Sequence, residues 1–139
     1  MNSDSKGKRG ELEWSKFLRG YGYDARRGRQ YKGTPESPDV VGLPGVHLEV
    51  KRWEVVTDQD IRSFMHQSQS ESAPGEIPVV PYRENRKRWK VAMYASDLAR
   101  MAYCADEPPH VSEAVMVMTA EDFLAVYEHW RVKCGYAKS

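Results

Sequence analysis

Two rhythms of apolar residues alternate along the chain, and each predicts a different element. In "GELEWSKFLRGYG" the apolar residues Leu12, Trp14, Phe17 and Leu18 read as a helix that stops at Gly20 or Gly22. The preceding residues 1–9 read as a flexible basic arm. "YDARRG" is a weak strand, and "RQYKGTPESP" is a loop punctuated by Gly33, Pro35 and Pro38. Two short apolar runs around Pro44-Gly45 then read as a hairpin. Ile61, Phe64, Met65 and Ser68 recur at helical spacing and predict a helix over 58–72, with Thr57 and Asp60 set as a near capping box. "IPVVPYR" and "WKVAMY" read as strands joined by the basic turn "ENRKR". "SDLARMAY" reads as a short helix, "ADEPPHVSE" as a loop and "AVMVM" as a further strand. In "TAEDFLAVYEHW", Thr119 caps a helix whose stripe is Phe123, Val126, Tyr127 and Trp130. Helix, three strands, helix, two strands and then helical material predict an α/β layer with a mixed central sheet flanked by helices.

The hairpin "SPDVVGLPGVHLEVKRWE" carries charges that a core hairpin does not need. Side chains alternate faces along a strand. Val46, Leu48 and Val50 therefore share one face, and His47, Glu49 and Lys51 share the other. Asp39 reaches the charged face only in one class of register. A strict two-residue turn at Pro44-Gly45 sets Asp39 opposite Val50. A three-residue loop, or one bulge, sets it opposite Lys51. Gly45 suits the left-handed position that such a loop requires, so the second register is expected.

Composition changes this picture little. At 139 residues the chain suits one domain, with 95–139 expected as a helical extension of it. Cys104 and Cys134 are too few for a disulfide framework and read as reduced, half-buried filler in a cytoplasmic protein. "MNSDSKGKRG" is not followed by the apolar run of a signal peptide, and no window is apolar enough to span a membrane. The net charge of +1 is uninformative, but its distribution is not. Residues 1–33 hold nine Lys/Arg against four acids, and 83–90 hold five against one, whereas 106–129 hold six acids and no Lys or Arg. Two basic groups interleaved with aromatics point to a polyanion partner.

Two carboxylates a few ångström apart repel, and burial without a partner is costly. A hard divalent cation relieves both problems, since Mg²⁺ binds through one or two carboxylates plus water and phosphate. A lysine on the same face stabilises charge that builds on a phosphate. Asp39, Glu49 and Lys51 together therefore suit hydrolysis of a phosphodiester. Glu-x-Lys alone would suit a surface hairpin with a cross-strand ion pair equally well; the Pro-Asp ahead of it sharpens the pattern. His47 lies on the charged face, where it either contacts phosphate or is a half-exposed strand histidine. His66, His110 and His129 show no metal-ligand spacing.

With these residues in view, "PDVVGLPGVHLEVK" resembles the signature of the PD-(D/E)xK nuclease superfamily. The longer stretch from Lys6 to Glu54 resembles the archaeal-type Holliday junction resolvases and their phage-encoded relatives. The likeness runs over residues 6–94, including "EIPVVPYRENRKRWKVAMY"; residues 95–139 match less clearly, and "MAYCADEPPHVSEAV" looks like an insertion. It implies a restriction-endonuclease-like core and a Mg²⁺-dependent DNA endonuclease, with Mn²⁺ able to substitute. It implies that Asp39, Glu49 and the Val50 carbonyl bind the metal and that Lys51 is the catalytic lysine. Glu11 matches the family's first-helix glutamate, with Glu13 as the competing choice. Gln67 matches a glutamine of the phage relatives; a solvated polar residue is the alternative.

Arg26, Arg27, Arg29 and Lys32 before the hairpin, with Tyr23 and Tyr31 among them, are then expected to hold DNA phosphates. Arg83, Arg86 and Arg88 form the second such group, with Lys87 and Lys90 beside them. The expected partner is four-way or other branched DNA, cut by a homodimer. A nuclease of the same fold acting on ends, flaps or foreign DNA is the alternative, and a non-cleaving DNA-binding module a third.

Overall fold

A computed structural model describes residues 3–28, 38–104 and 114–138. Helix α1 spans Ser3–Gly20, followed by strands β1 (Arg26–Arg27), β2 (Val40–Val41), β3 (Val46–Leu48) and β4 (Lys51–Trp53). Helix α2 (Asp58–Glu71) leads to β5 (Ile77–Glu84) and β6 (Lys90–Tyr94), then α3 (Ala95–Tyr103), β7 (Val115–Thr119) and α4 (Ala120–Cys134). The strands form one mixed sheet in the order β1-β2-β3-β5-β6-β7, with β4 also on β5. β3 and β4 run parallel to β5, and every other pairing is antiparallel. The mixed α/β layer predicted from the periodicity is the one observed.

β3 and β4 pair with β5 at the same offset, Leu48 on Val79 and Lys51 on Tyr82. They are two pieces of one strand, interrupted at Glu49 and Val50. Across that interruption the Glu49 N–H still donates to the Val79 carbonyl at 3.1 Å.

The sheet has a large apolar cluster on one face and a small one on the other. On the first, Trp14 and Leu18 of α1 meet Val46, Leu48, Val50, Ile77, Val79, Val91 and Met93, together with Phe123, Tyr127 and Trp130 of α4. On the second, Ile61, Phe64 and Met65 of α2 cover Val80, Tyr82, Ala92 and Tyr94. The α2 N-terminus is closed by a full capping box: Asp60 N–H donates to Thr57 Oγ1 at 3.1 Å, and Thr57 N–H donates to the Asp60 carboxylate at 2.9 Å.

Three expectations are corrected. The first helix begins at Ser3, so most of the expected arm is helical. Residues 95–139 are not merely a helical extension: β7 pairs with β6 along its whole length, and α4 fills the main core. Without β7, the outer edge of β6 would be an unpaired ladder. Third, Val40 pairs with Leu48, which brings Asp39 level with Glu49 rather than Lys51. The face is the expected one and Gly45 is left-handed (φ 90°), but the turn is centred one residue earlier. The putting of Gly45 there is also steric, since a Cβ would lie 2.6 Å from the Trp130 ring. The loop expected over 105–113 lies outside the described residues.

Candidate active site

The site forms at the open end of the hairpin. The Asp39 N–H donates to the Leu48 carbonyl at 2.9 Å, and the Asp39 carbonyl accepts from the Gly28 N–H at 2.8 Å. One step further on, the Asp39 side chain acts in place of backbone, and its Oδ2 accepts the Val50 N–H at 2.8 Å. A buried amide must find an acceptor, and here a carboxylate supplies it. This bond holds Asp39 beside Glu49.

Glu11 arrives from α1. Gly10 allows it, because a Cβ at that position would sit 2.9 Å from the Cβ of Arg52 on β4. The helix thus lies against the strand, and Glu11 is buried with its Oε2 accepting from Arg27 Nε at 2.8 Å. Burial raises the Glu11 pKa; the Arg27 hydrogen bond opposes this, and the neighbouring Asp39 charge adds to it. Glu49, only 3% exposed, is pushed up to about 10, by burial first and then by Glu71 and Asp39. Lys51 donates from Nζ to Gln67 Oε1 at 2.9 Å and lies 5.3 Å from the centre of the Phe64 ring.

Glu11, Asp39, Glu49, Val50, Lys51 and Gln67 all line one cleft of about 390 Å³. Every catalytic or metal-binding candidate named from the sequence therefore faces the same space. The donor set fits a hard divalent cation. Three carboxylates converge from α1 and the hairpin, and two of them, Glu11 and Glu49, resist ionising, through burial first and then through neighbouring acids. A cation among them removes that repulsion and supplies charge to all three. A slightly larger depression of about 410 Å³ beside β1 and β2 is lined by Gly42, Leu43, Pro44 and Gly45 with only scattered charges, and offers no such convergence.

The structure separates residues that the sequence left together. Glu13 turns away from the cleft and accepts from Arg52 (3.2 Å) and Arg83 (3.1 Å), which leaves Glu11 as the inward acid. Arg83 also donates to the Lys87 carbonyl at 2.7 Å, so its guanidinium is engaged within the protein. Arg27 likewise spends its Nε on Glu11. Arg26, Arg86 and Arg88 are exposed. Arg29, Lys32, Tyr31 and His110 lie outside the described residues. Tyr23 is core, its hydroxyl donating to Glu128 Oε2 at 2.6 Å, and Trp89 packs on Trp14. His47 is not half-exposed. It is wholly buried, with Nε2 2.9 Å from Glu49 Oε1, because α2 covers the face it shares with Glu49.

Sequence reasoning missed Glu71 and Arg52. Arg52 lines the cleft from β4. Glu71 follows Gln67 by four residues, so it lies on the same helical face; that spacing was the available signal. It was overlooked because the apolar stripe of α2 ends at Ser68.

No protein-family model matches the sequence, and no curated protein matches it. Among solved structures, the chain is similar to that of Archaeoglobus fulgidus Hjc, a Holliday junction resolvase from an archaeal hyperthermophile. The match has 21% identity and a TM-score of 0.41, and covers 60% of this chain and 72% of that one.

Proposed function

We propose that the protein is a metal-dependent DNA endonuclease that hydrolyses phosphodiester bonds, with branched DNA of the Holliday junction type as its preferred substrate. The observation that carries the reading is the convergence of Glu11, Asp39, Glu49, Lys51 and Gln67 on one cleft. The PD-(D/E)xK pattern in the hairpin agrees with it, as does the mixed sheet that presents the hairpin.

Asp39 and Glu49, with Glu11 and the Val50 carbonyl, hold Mg²⁺ or Mn²⁺. When bound, such an ion supplies Lewis acidity toward a phosphate oxygen and an attacking water. Lys51 brings a positive charge to the scissile phosphate and stabilises the extra negative charge of the pentavalent transition state. Gln67 fixes the Lys51 ammonium through its side-chain carbonyl and so orients that charge. Arg27 holds Glu11 in the cleft. Arg26, Arg29, Lys32, Arg86 and Arg88 carry the DNA backbone, and Arg83 steadies the turn that displays the last two. Phosphate contacts position a duplex without reading bases, so preference follows substrate shape. Two such surfaces in a homodimer would meet two arms of a junction.

The test offers purified protein and Mg²⁺ equal amounts of four-way junction, flap, single strand and linear duplex. Paired symmetric nicks near the crossover, made by a particle with the mass of two chains, are expected. Equal cutting of linear duplex would move the reading to a general nuclease of this fold. Binding without cleavage in either Mg²⁺ or Mn²⁺ would overturn the enzyme reading.

A further inference from the structure

Around Glu49 lies a second group of ligating atoms, two of which the reaction does not use. His47, Glu49 and Glu71 each offer one donor atom, and the three atoms lie within 4.8 Å of one another. His47 and Glu49 come from the same face of the β3–β4 strand, and Glu71 comes from the last turn of α2. His47 is 0% exposed, and its Nδ1 has no hydrogen-bond partner among the described residues.

We infer that His47, Glu49 and Glu71 form a second site, adjoining the first through Glu49, for a borderline divalent transition ion such as Zn²⁺. The spacing supports it. Tetrahedral ligands bonded at about 2.1 Å lie about 3.4 Å apart, and the His47 Nε2 to Glu49 Oε1 distance of 2.9 Å opens to that by a shift of roughly half an ångström. The far side of the ring supports it too. Nδ1 faces Glu76 Oε1 at 3.8 Å, and that oxygen is anchored by the Ala73 N–H at 2.7 Å. A histidine that binds a metal through one nitrogen commonly directs the other at a carboxylate, which sets the tautomer and strengthens the donor.

The donor chemistry distinguishes this site from its neighbour. Glu11 and Asp39 offer oxygen only and suit Mg²⁺. One imidazole nitrogen with two carboxylates favours Zn²⁺ or Co²⁺ over Mg²⁺ by the usual order of affinities. Glu49 is common to both sets. The two α2-facing ligands, His47 and Glu71, belong to the second alone. The site stands on these residues whether or not the chain cuts DNA.

The test uses the full chain, freed of metal and dialysed against Zn²⁺ with millimolar Mg²⁺ present. The wild-type chain is expected to retain one Zn²⁺ under that excess. Glu71→Gln, at a half-buried position on the helix end, should weaken Zn²⁺ binding at least tenfold while thermal stabilisation by Mg²⁺ persists. Asp39→Asn should do the reverse, and this arm separates the second site from the proposed catalytic one. The Nε2 resonance of ¹⁵N-labelled His47 should shift on addition of Zn²⁺, a readout that needs no substitution. Wild-type Zn²⁺ affinity in Glu71→Gln, one-for-one displacement of Zn²⁺ by Mg²⁺, or a His47 resonance unmoved by Zn²⁺ would each overturn the proposal.

Discussion

Replacing Glu49 by glutamine should make the metal-free protein more stable at neutral pH, although it removes a residue assigned to the active site. The unfolded chain ionises this side chain near the ordinary value of 4.5, whereas burial and the neighbouring acids hold the folded value at about 10. Folding at pH 7 must therefore take up a proton. The sign follows from linkage: the folded state binds more protons, so the contribution of Glu49 to stability is complete below pH 4.5 and is lost as pH rises toward 10. Because the folded value lies above 7, the loss at pH 7 is set by the span from 4.5 to 7. At about 1.4 kcal/mol per unit this is about 3–4 kcal/mol as a ceiling. Glutamine has the shape of the protonated acid and needs no proton. Denaturant titration in EDTA should show Glu49→Gln and wild type close together near pH 4.5, with the variant gaining progressively up to pH 7 and above. Millimolar Mn²⁺ should then stabilise the wild type and not the variant. A variant less stable than wild type at pH 7, with a difference that does not grow with pH, would refute the account of crowded acids.

Lys51→Ala should abolish cleavage with little change in thermal stability or DNA affinity, since Lys51 lies at the cleft rim; measurable turnover at the wild-type rate would remove it from the mechanism. Gly7 and Gly10 make a matched pair on α1. Nothing lies within 4 Å of a Cβ at Gly7, so Gly7→Ala should stabilise by about 0.5–1 kcal/mol, whereas Gly10→Ala meets Arg52 and should cost about 1–2 kcal/mol and lower activity, both read by denaturant titration. Glu128 is held down to about 2 by Arg131 and the Tyr23 hydroxyl. Its stabilising contribution is thus present above pH 4.5 and lost as pH falls toward 2, and the deficit of Glu128→Gln in thermal melts should narrow over that range. Arg86→Ala with Arg88→Ala should weaken binding to junction and duplex alike and flatten the slope of log affinity against log salt by about 1–2, as lost phosphate contacts do.

Much of the site was legible because local rules dictate it. Period-two alternation puts His47, Glu49 and Lys51 on one face whatever the rest of the chain does, and the helical repeat of α2 sets Gln67 toward the same side as Phe64. The capping box at Thr57 and the stop of the first helix at Gly20 are equally local. Other features needed the tertiary structure, since they depend on contacts between residues far apart in the chain. Periodicity fixes neither the face of Asp39 nor its partner; the turn geometry against Trp130 sets it level with Glu49. Glu11 and Glu13 are equally acidic in sequence, and only the close approach of Gly10 to Arg52 decides which enters the cleft. The arginines could not be sorted either, because pairing with Glu11 or Glu13 takes Arg27 and Arg83 inward while Arg86 and Arg88 stay in solvent. His47 and Glu71, 24 residues apart, meet only because α2 folds back over the strand it follows. No pattern along the chain encodes that distance, and it is the packing of helix on sheet that makes it short.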